Sequence, residues 1–375
     1  MNRNCIHIAP LLVSILIVML LSGCSSESSD SEWREDASKG RDLYLMLYPQ
    51  LYEDITPSDS HRALPLGFVS YDDLSPRMAD DAMQVHCFMT HAADVDFQGD
   101  FSHVGSSSWF SKIPLDDGTY QVYGFMPSTK LTNVKIFPQT NYETGARIIA
   151  SGFPALTDAD PCVIVGVKGA SGNSSPIAGM DMQLGTFSYN AGNEGDHLYV
   201  LLDHLYAALH LRFNINSDYS KLRTIKLTRL SLTAQSVKTV DVIATLTAGS
   251  ADPLQVAITN HVIGMGDEIV LFNGTGAKEK QLYPTTTLDF LACVAPDANR
   301  TFVMKTTYNV YDRQGNLIRE NRTVENTLNI SESTMLARGK KLIFNLTVNP
   351  TYIYVLSDPD LSDPDWDKPD VTVNP

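Results

Sequence analysis

After residue 23 the chain lacks any apolar run long enough to span a bilayer, and it lacks the pattern of a long amphipathic helix. Basic residues are outnumbered, with 28 Lys and Arg against 43 Asp and Glu. An acidic surface of this kind repels phosphate backbones, so we expect no nucleic-acid partner. The 375 residues, 43% of them hydrophobic, are nevertheless enough to build two sizeable cores.

Motifs of catalysis and metal binding are missing as well. The sequence contains no G-x-S-x-G, no H-E-x-x-H and no phosphate-binding glycine loop, so we expect no enzymatic activity and no cofactor. The acidic tail, residues 358–370, fails the EF-hand pattern, because Asp363 and Pro369 stand where glycine and glutamate are needed. His204 and His210 lie six residues apart on a predicted strand, which favours a solvent-facing pair. The sequence therefore predicts no metal site: a solvated acidic tail is the expectation, and a weak surface cation site is the alternative.

Cysteine is scarce. Cys87, Cys162 and Cys293 remain once the N-terminal region is set aside, and none of them belongs to a C-x-x-C pair. Because their number is odd, at most one disulfide can form among them. We expect these three residues to be buried as small apolar side chains.

The first 24 residues have the pattern of a secretory signal. Arg3 precedes an apolar run, residues 9–21, which leads into Ser22-Gly23-Cys24. This ending resembles the lipobox of bacterial lipoproteins, in which Cys24 receives lipid and becomes the first mature residue; the alternative is an ordinary cleaved signal with a chance cysteine. Residues 24–41 are Ser-rich and charged, which predicts a flexible tether. That acidic stretch also resembles the signal that exports lipoproteins of Bacteroidetes to the outer face of the outer membrane.

The rest of the chain alternates short apolar segments with turn residues, which is typical of an all-β sandwich or barrel. We expect an N-terminal domain over residues 42–195, a C-terminal domain over 196–356 and an irregular Asp/Pro-rich tail over 357–375. Residues 203–215 are predicted to form one strand region, although its start also fits a helical turn. Residues 223–234 alternate with a slip of one residue between Leu227 and Leu230, which predicts a β-bulge. Residues 313–316 predict a hairpin turn.

Four segments together resemble the fimbrillin family, the subunits of the type V pili of Bacteroidales. They are the lipoprotein signal ending at Cys24, the early strands at 83–89 and 117–127, the central pair at 203–215 and 223–232, and the late strand at 339–348 with its extended tail. The resemblance covers most of the chain after Cys24. It implies two tandem β-sandwich domains of transthyretin-like topology, no enzymatic activity, and a surface fimbrium that supports cell adhesion, held at the outer membrane through the lipid at Cys24.

The resemblance also implies that subunits assemble by strand exchange. In that family an arginine-specific protease removes the N-terminal strand, and an extended segment of the next subunit fills the groove. The strand at 43–48 is the candidate for removal, with Leu43, Leu45 and Leu47 as its apolar side chains, and Arg62-Ala63 is the candidate scissile bond; a cut at Arg41 would leave the strand in place. The donor is predicted within residues 342–356, through four alternating side chains, or within residues 371–373. The four are Leu342, Phe344, Leu346 and Val348.

Other functions stay open at this point. A fimbrial anchor or tip subunit would keep its lipid, and the Asp/Pro-rich tail departs from an ideal donor strand. A surface glycan-binding lipoprotein would also be acidic and all-β. Such proteins usually bind sugars on tryptophan platforms, and the sequence has three tryptophans. Trp33 and Trp366 lie in segments predicted to be flexible, which leaves Trp109. Four tyrosines could form a sugar platform, although their period-two spacing favours core or cross-strand packing. They are Tyr44, Tyr48, Tyr120 and Tyr123.

Overall fold

The computed structural model describes residues 40–54, 84–103, 109–128, 133–169, 184–189, 196–250, 252–349 and 370–374. Within these ranges the chain is almost entirely β-structure, which confirms the predicted class. Helical geometry there is slight and includes a four-residue turn, Ser217–Ser220, and a 3-10 turn, Gly276–Lys278.

The described residues form 23 strands, all of which belong to one compact unit that begins at Arg41. In chain order they are β1 (Arg41–Pro49), β2 (Glu53–Asp54), β3 (Gln84–His91), β4 (Asp94–His103), β5 (Trp109–Ile113), β6 (Gly118–Met126), β7 (Val134–Pro138), β8 (Gly145–Pro154), β9 (Leu156–Thr157), β10 (Cys162–Gly169), β11 (Thr186–Tyr189), β12 (Asp196–His204), β13 (Ala207–Ile215), β14 (Thr224–Ala234), β15 (Val237–Thr247), β16 (Leu254–Ile263), β17 (Ile269–Asn273), β18 (Lys280–Gln281), β19 (Leu288–Val294), β20 (Thr301–Tyr311), β21 (Leu317–Asn329), β22 (Lys340–Asn349) and β23 (Asp370–Asn374).

The first core lies between an eight-stranded sheet and a four-stranded sheet. The larger sheet has the order β10-β12-β1-β5-β4-β3-β6-β11, and β10 also pairs with β6. The smaller sheet has the order β16-β15-β8-β7. From Val240 to Leu246, strand β15 buries every second residue, with Val240, Val242 and Ala244 in the core that both sheets share. This alternation is what places an apolar face on each layer.

The second core lies between two further sheets. One has the order β2-β22-β13-β19-β9, with β23 added to β22. The other has the order β17-β14-β20-β21, with β18 added to β14. Leu209, Leu211 and Phe213 on β13 are fully buried in this core, where Leu230 and Leu232 of β14 are buried as well. Both strands therefore direct apolar side chains into this core.

Two local predictions about β14 and β20 are also confirmed. The register of β14 against β20 shifts between Leu227 and Arg229, which is the bulge that the sequence slip indicates. Strands β20 and β21 form a hairpin in which Asp312 Oδ1 accepts hydrogen bonds from two backbone N–H groups of the turn. Gly315 has φ of 86° there, a left-handed conformation that glycine adopts without strain.

The strand region predicted over residues 203–215 is confirmed from Ala207 to Ile215 and is interrupted near its start. The chain leaves β12 at His204, bends at Leu205 and Tyr206, and resumes as β13 at Ala207 in another sheet. Both bend residues are apolar and buried, so the hydrophobic pattern continues through the bend. The break therefore leaves no mark in the alternation.

Strands from the two halves of the sequence contribute to the same core. Strand β12, which follows the boundary predicted at residues 195 and 196, pairs with β1 and β10 in the eight-stranded sheet. Strands β15 and β16 join β8 and β7 in the first core. Several sheets thus contain strands from both sides of residue 195. The domain limits given above stay a prediction.

Candidate functional site

Strand β1 is paired along both of its edges inside the eight-stranded sheet. It runs parallel to β12 from Leu43 to Pro49 and antiparallel to β5 from Arg41 to Leu45. Because hydrogen bonds bind it on two sides, loss of β1 would leave unpaired N–H and C=O groups on two strands at once. Such a vacancy would be a template for another extended segment.

One face of β1 supplies apolar side chains to the first core. Leu43, Leu45 and Leu47 are each at most 1% exposed. Full burial of one leucine side chain contributes about 1.5–3 kcal/mol. These three residues therefore fill slots that a replacing strand would have to fill with alternate apolar side chains.

The other face of β1 carries tyrosines that pack across strands, as the sequence favours. The Tyr44 ring lies 5.2 Å from the Phe110 ring and 4.9 Å from the His197 ring, and the Tyr48 ring lies 6.0 Å from the Tyr199 ring. The other two tyrosines of the proposed sugar platform, Tyr120 and Tyr123, are buried. Their side chains thus pack in the core rather than form an exposed platform.

A short continuation of the same segment, β2, pairs with the second core. Glu53 and Asp54 run parallel to Lys340 and Lys341 of β22. Lys340 Nζ lies 2.5 Å from Glu53 Oε2, and Lys341 Nζ lies 3.1 Å from Asp54 Oδ1. Residues 41–54 are therefore held by strands from both cores.

A buried polar cluster lies between β1 and β2 along this segment. It comprises the side chains of Tyr52, Asp160, Cys162, His204 and Cys293. The imidazole of His204 is 0% exposed and stacks on the Tyr52 ring at 3.7 Å between centroids. The Tyr52 hydroxyl donates to Asp160 Oδ1 at 2.7 Å and lies 3.3 Å from Cys293 Sγ.

Both nitrogens of His204 have partners. Nε2 lies 2.5 Å from the carbonyl oxygen of Gln50, to which it donates, and Nδ1 lies 3.1 Å from Asp160 Oδ1 and 3.4 Å from Cys162 Sγ. Cys162 and His204 are directly opposite in the antiparallel pairing of β10 with β12. The backbone of the sheet therefore fixes this contact.

Burial and charge shift the pKa values in this cluster. Burial alone would raise the pKa of Asp160, but the pairing with His204 outweighs it and holds that pKa below the ordinary value. Burial would lower the pKa of His204, and the carboxylate of Asp160 raises it instead. Burial raises the pKa of the thiols of Cys162 and Cys293, next to a contribution from the negative charge of Asp160.

The predicted histidine pair does not form. His204 and His210 lie on different strands of different sheets, and His204 is fully buried, so the expectation of a shared solvent-facing surface is wrong. His210 Nε2 lies 3.0 Å from Asp289 Oδ1 on the neighbouring strand β19. The bend at Leu205 separates the two imidazoles.

The predicted donor side chains lie on β22, which pairs in parallel with β13. Phe344, Leu346 and Val348 are buried in the second core, and Leu342 is partly buried against it. Strand β23 pairs antiparallel with the last half of β22. The donor role of either segment stays a prediction.

Several predicted sites fall outside the described residues. They are Cys24, Arg62, Ala63, Trp33, Trp366 and the tail carboxylates before Asp370. Trp109 is 1% exposed on β5. The three cysteines, Cys87, Cys162 and Cys293, are buried as expected, but two of them contact polar side chains instead of behaving as plain apolar residues.

Sequence reasoning missed Gln50, Tyr52 and Asp160. Asp160 is separated from Cys162 by a single proline, which is a weak local signal for paired ligands. The partners of this pair come from residues 42 or more positions away, so no spacing rule identifies them.

No family model and no curated protein matches the sequence. Within the described residues, no helix is long and apolar enough to cross a membrane.

Solved structures similar to this chain come from Bacteroides and Porphyromonas. A candidate cell adhesion protein of Bacteroides uniformis is 12% identical, with 83% of this chain and 94% of that chain covered and a TM-score of 0.33. A second, from Bacteroides fragilis, is 10% identical, with 82% and 94% covered and a TM-score of 0.36. The fimbrial anchor protein Mfa2 of Porphyromonas gingivalis is 10% identical, with 84% and 92% covered and a TM-score of 0.27. At these identities and TM-scores the similarity establishes no shared function.

Proposed function

We propose that this chain is a structural subunit of a surface fimbrium that supports cell adhesion, exported as a lipoprotein through Cys24 and assembled by β-strand exchange. The observation that supports the proposal is the position of β1: an N-terminal strand paired on both edges and followed in sequence by Arg62. Together with the motifs shared with fimbrillins, this arrangement suits a strand that one cut can release.

Release of β1 would open a site for the next subunit. The vacated groove would offer the backbone edges of β5 and β12 and the slots of Leu43, Leu45 and Leu47. An incoming strand with alternating apolar residues would restore about 1.5–3 kcal/mol for each leucine replaced. Its backbone would pair with both strands, so assembly is β-augmentation inside a sheet.

The donor segment in this proposal is residues 371–373. The alternative donor, β22, already pairs with β13 and buries Phe344 and Leu346 in the core of its own chain. Donation by β22 would expose those side chains and leave β13 without its parallel partner. The backbone of β23, by contrast, pairs with β22 at one edge. In sequence, Val371 and Val373 alternate in the way that a donor requires.

A fimbrial anchor subunit is the second candidate, and one observation favours it. Beyond β1, the N-terminal segment is also held by Glu53 on Lys340 and by Tyr52 in the polar cluster. A segment fixed at three places suits a subunit that keeps its N terminus and its lipid. A glycan-binding lipoprotein is less well supported, because Trp109 is buried.

Treatment of the purified full chain with an arginine-specific protease tests the main proposal. We expect SDS-resistant or high-molecular-weight polymers whose subunits start at Ala63 by mass spectrometry. Arg62→Ala should give no polymers, whereas Arg41→Ala is the matched control and should polymerise like the wild type. Polymers whose subunits still begin at Cys24 would contradict strand removal. A chain that stays uncut and monomeric under these conditions would instead favour the anchor.

A further inference from the structure

Three members of the polar cluster carry donor atoms of the kinds that bind transition metals. They are a carboxylate oxygen of Asp160, Sγ of Cys162 and Nδ1 of His204, and all lie within 4.8 Å of one another. Cys162 and His204 face each other across β10 and β12, so the sheet presents sulfur and nitrogen side by side. The fimbrial function proposed above gives these residues no role.

We propose that Asp160, Cys162 and His204 form a binding site for one zinc ion. Zinc binds nitrogen at about 2.0–2.1 Å, sulfur at about 2.3 Å and carboxylate oxygen at about 2.0–2.2 Å, so donors on a tetrahedron lie about 3.3–3.6 Å apart. His204 Nδ1 lies 3.4 Å from Cys162 Sγ and 3.1 Å from Asp160 Oδ1. Nδ1 also lies 2.9 Å from Asp160 Oδ2, and the Cys162 sulfur lies within 4.8 Å of the Asp160 carboxylate oxygen, so the three donors are already grouped near the separations of a tetrahedral site.

The charge and softness of the donors select this class of metal. One thiolate and one carboxylate balance the two positive charges of zinc, and a neutral imidazole adds none, so the loaded site is neutral inside the core. Thiolate and imidazole suit zinc, whereas calcium and magnesium require oxygen donors. The site thus excludes the cations that the acidic tail would attract.

Neighbouring groups orient the donors. His204 Nε2 donates to the carbonyl oxygen of Gln50 at 2.5 Å, so Nδ1 is the nitrogen that faces Cys162 and Asp160. Zinc binding would release to solvent the proton that Nδ1 otherwise shares with the Asp160 carboxylate, and the Nδ1 lone pair of the neutral ring would then bind the ion. The Tyr52 hydroxyl donates to Asp160 Oδ1 at 2.7 Å. This arrangement of outer partners is the one that metal-binding histidines and carboxylates require.

Cys293 borders the site but does not belong to the set of three donors that lie within 4.8 Å of one another. Cys293 Sγ lies 3.9 Å from Asp160 Oδ1 and 3.3 Å from the Tyr52 hydroxyl. With a water molecule in the fourth position the loaded site stays neutral, and zinc would join β10, β12 and, through Gln50 and Tyr52, the N-terminal segment. The ion would then fasten residues 50–52 to the interior of the fold.

Cobalt substitution of the full chain tests the site directly. The chain is refolded in the presence of Co²⁺, and we expect a thiolate-to-cobalt charge-transfer band, intense visible absorption of tetrahedral cobalt, and displacement by one equivalent of Zn²⁺. Cys162→Ser should lower zinc affinity by more than about 100-fold, beyond the 10–100-fold that loss of an outer partner causes. Tyr52→Phe removes an outer partner, so it should lower zinc affinity by about 10–100-fold.

Cys87→Ala is the matched control, because Cys87 is also a fully buried thiol but lies outside the cluster. This variant should bind cobalt like the wild type. A wild-type chain that regains its native circular dichroism yet shows no charge-transfer band overturns the proposal, whatever the variants do. If Cys162→Ser binds the metal with the same affinity as the wild type, the proposal is also overturned. The metal is then bound by surface carboxylates. Neither result affects strand exchange, which is measured by polymer formation.

Discussion

Leu45 is the residue at which the role of β1 in the fold can be measured most directly. Its side chain is 0% exposed, and its backbone is paired with both β5 and β12. Leu→Ala at buried sites lowers the free energy of unfolding by about 2–5 kcal/mol, with larger losses where the surroundings cannot collapse. Because two paired strands hold the walls of this site, we expect Leu45→Ala to lower that free energy by about 3–5 kcal/mol.

Urea unfolding followed by tryptophan fluorescence measures this loss. Trp109 is buried directly opposite Leu45 in the β1–β5 register, so its emission reports the region that the substitution changes. With an m value of about 3 kcal/mol/M, the midpoint should fall by about 1–1.7 M. Met46→Ala, on the half-buried opposite face, is the control, with an expected loss of about 1 kcal/mol. Equal midpoint shifts for the two variants would refute the reasoning, because they would mean that the leucine face is not the tightly packed one.

Three further substitutions test other parts of the structure by the same unfolding measurement. Asn299→Ala removes the Oδ1 acceptor of two backbone N–H groups at the turn between β14 and β15. We expect the free energy of unfolding to fall by about 1–3 kcal/mol for each donor left unpaired. A midpoint shift no larger than that of a surface variant would contradict this. Arg338→Met leaves the Asp203 carboxylate, 1% exposed, without the guanidinium 2.6 Å away, and about 3–5 kcal/mol should be lost. Burial outweighs the pairing with Asp289 and lowers the pKa of His210 below 6.5. The unfolded chain therefore binds that proton first, and stability should decrease as pH falls through about 6.5. His210→Gln should flatten this part of the profile between about pH 8 and pH 5, and an unchanged slope would speak against it.

Local structure is predictable where the apolar pattern itself records it. The slip between Leu227 and Leu230 predicts the bulge in β14, and residues 313–316 predict the turn between β20 and β21. The bend at Leu205 and Tyr206 could not be predicted, since buried side chains continue through it without interruption. Periodicity reports which residues are buried but not which sheet buries them.

For a related reason, the pairing between distant strands cannot be predicted from the sequence. No local signal indicates that β1 runs parallel to β12 or that β13 runs parallel to β22, because those contacts depend on how whole layers pack. The polar cluster depends on the same contacts: Tyr52, Asp160 and His204 become neighbours only after three separate chain segments meet. A single sequence therefore predicts the strands of this protein far better than the site that their assembly creates.

The pairing of Glu53 with Lys340 has a consequence for the order in which the fold can close. These residues are 287 positions apart, so a chain made from its N terminus completes nearly all of its length before β2 meets its partner. Contacts of such long range delay folding, because closure of the intervening loop comes before any gain from the contact. Until β22 is synthesised, this segment has no native place on the second core. The topology thus favours a polypeptide that completes its fold only after β22 has been synthesised.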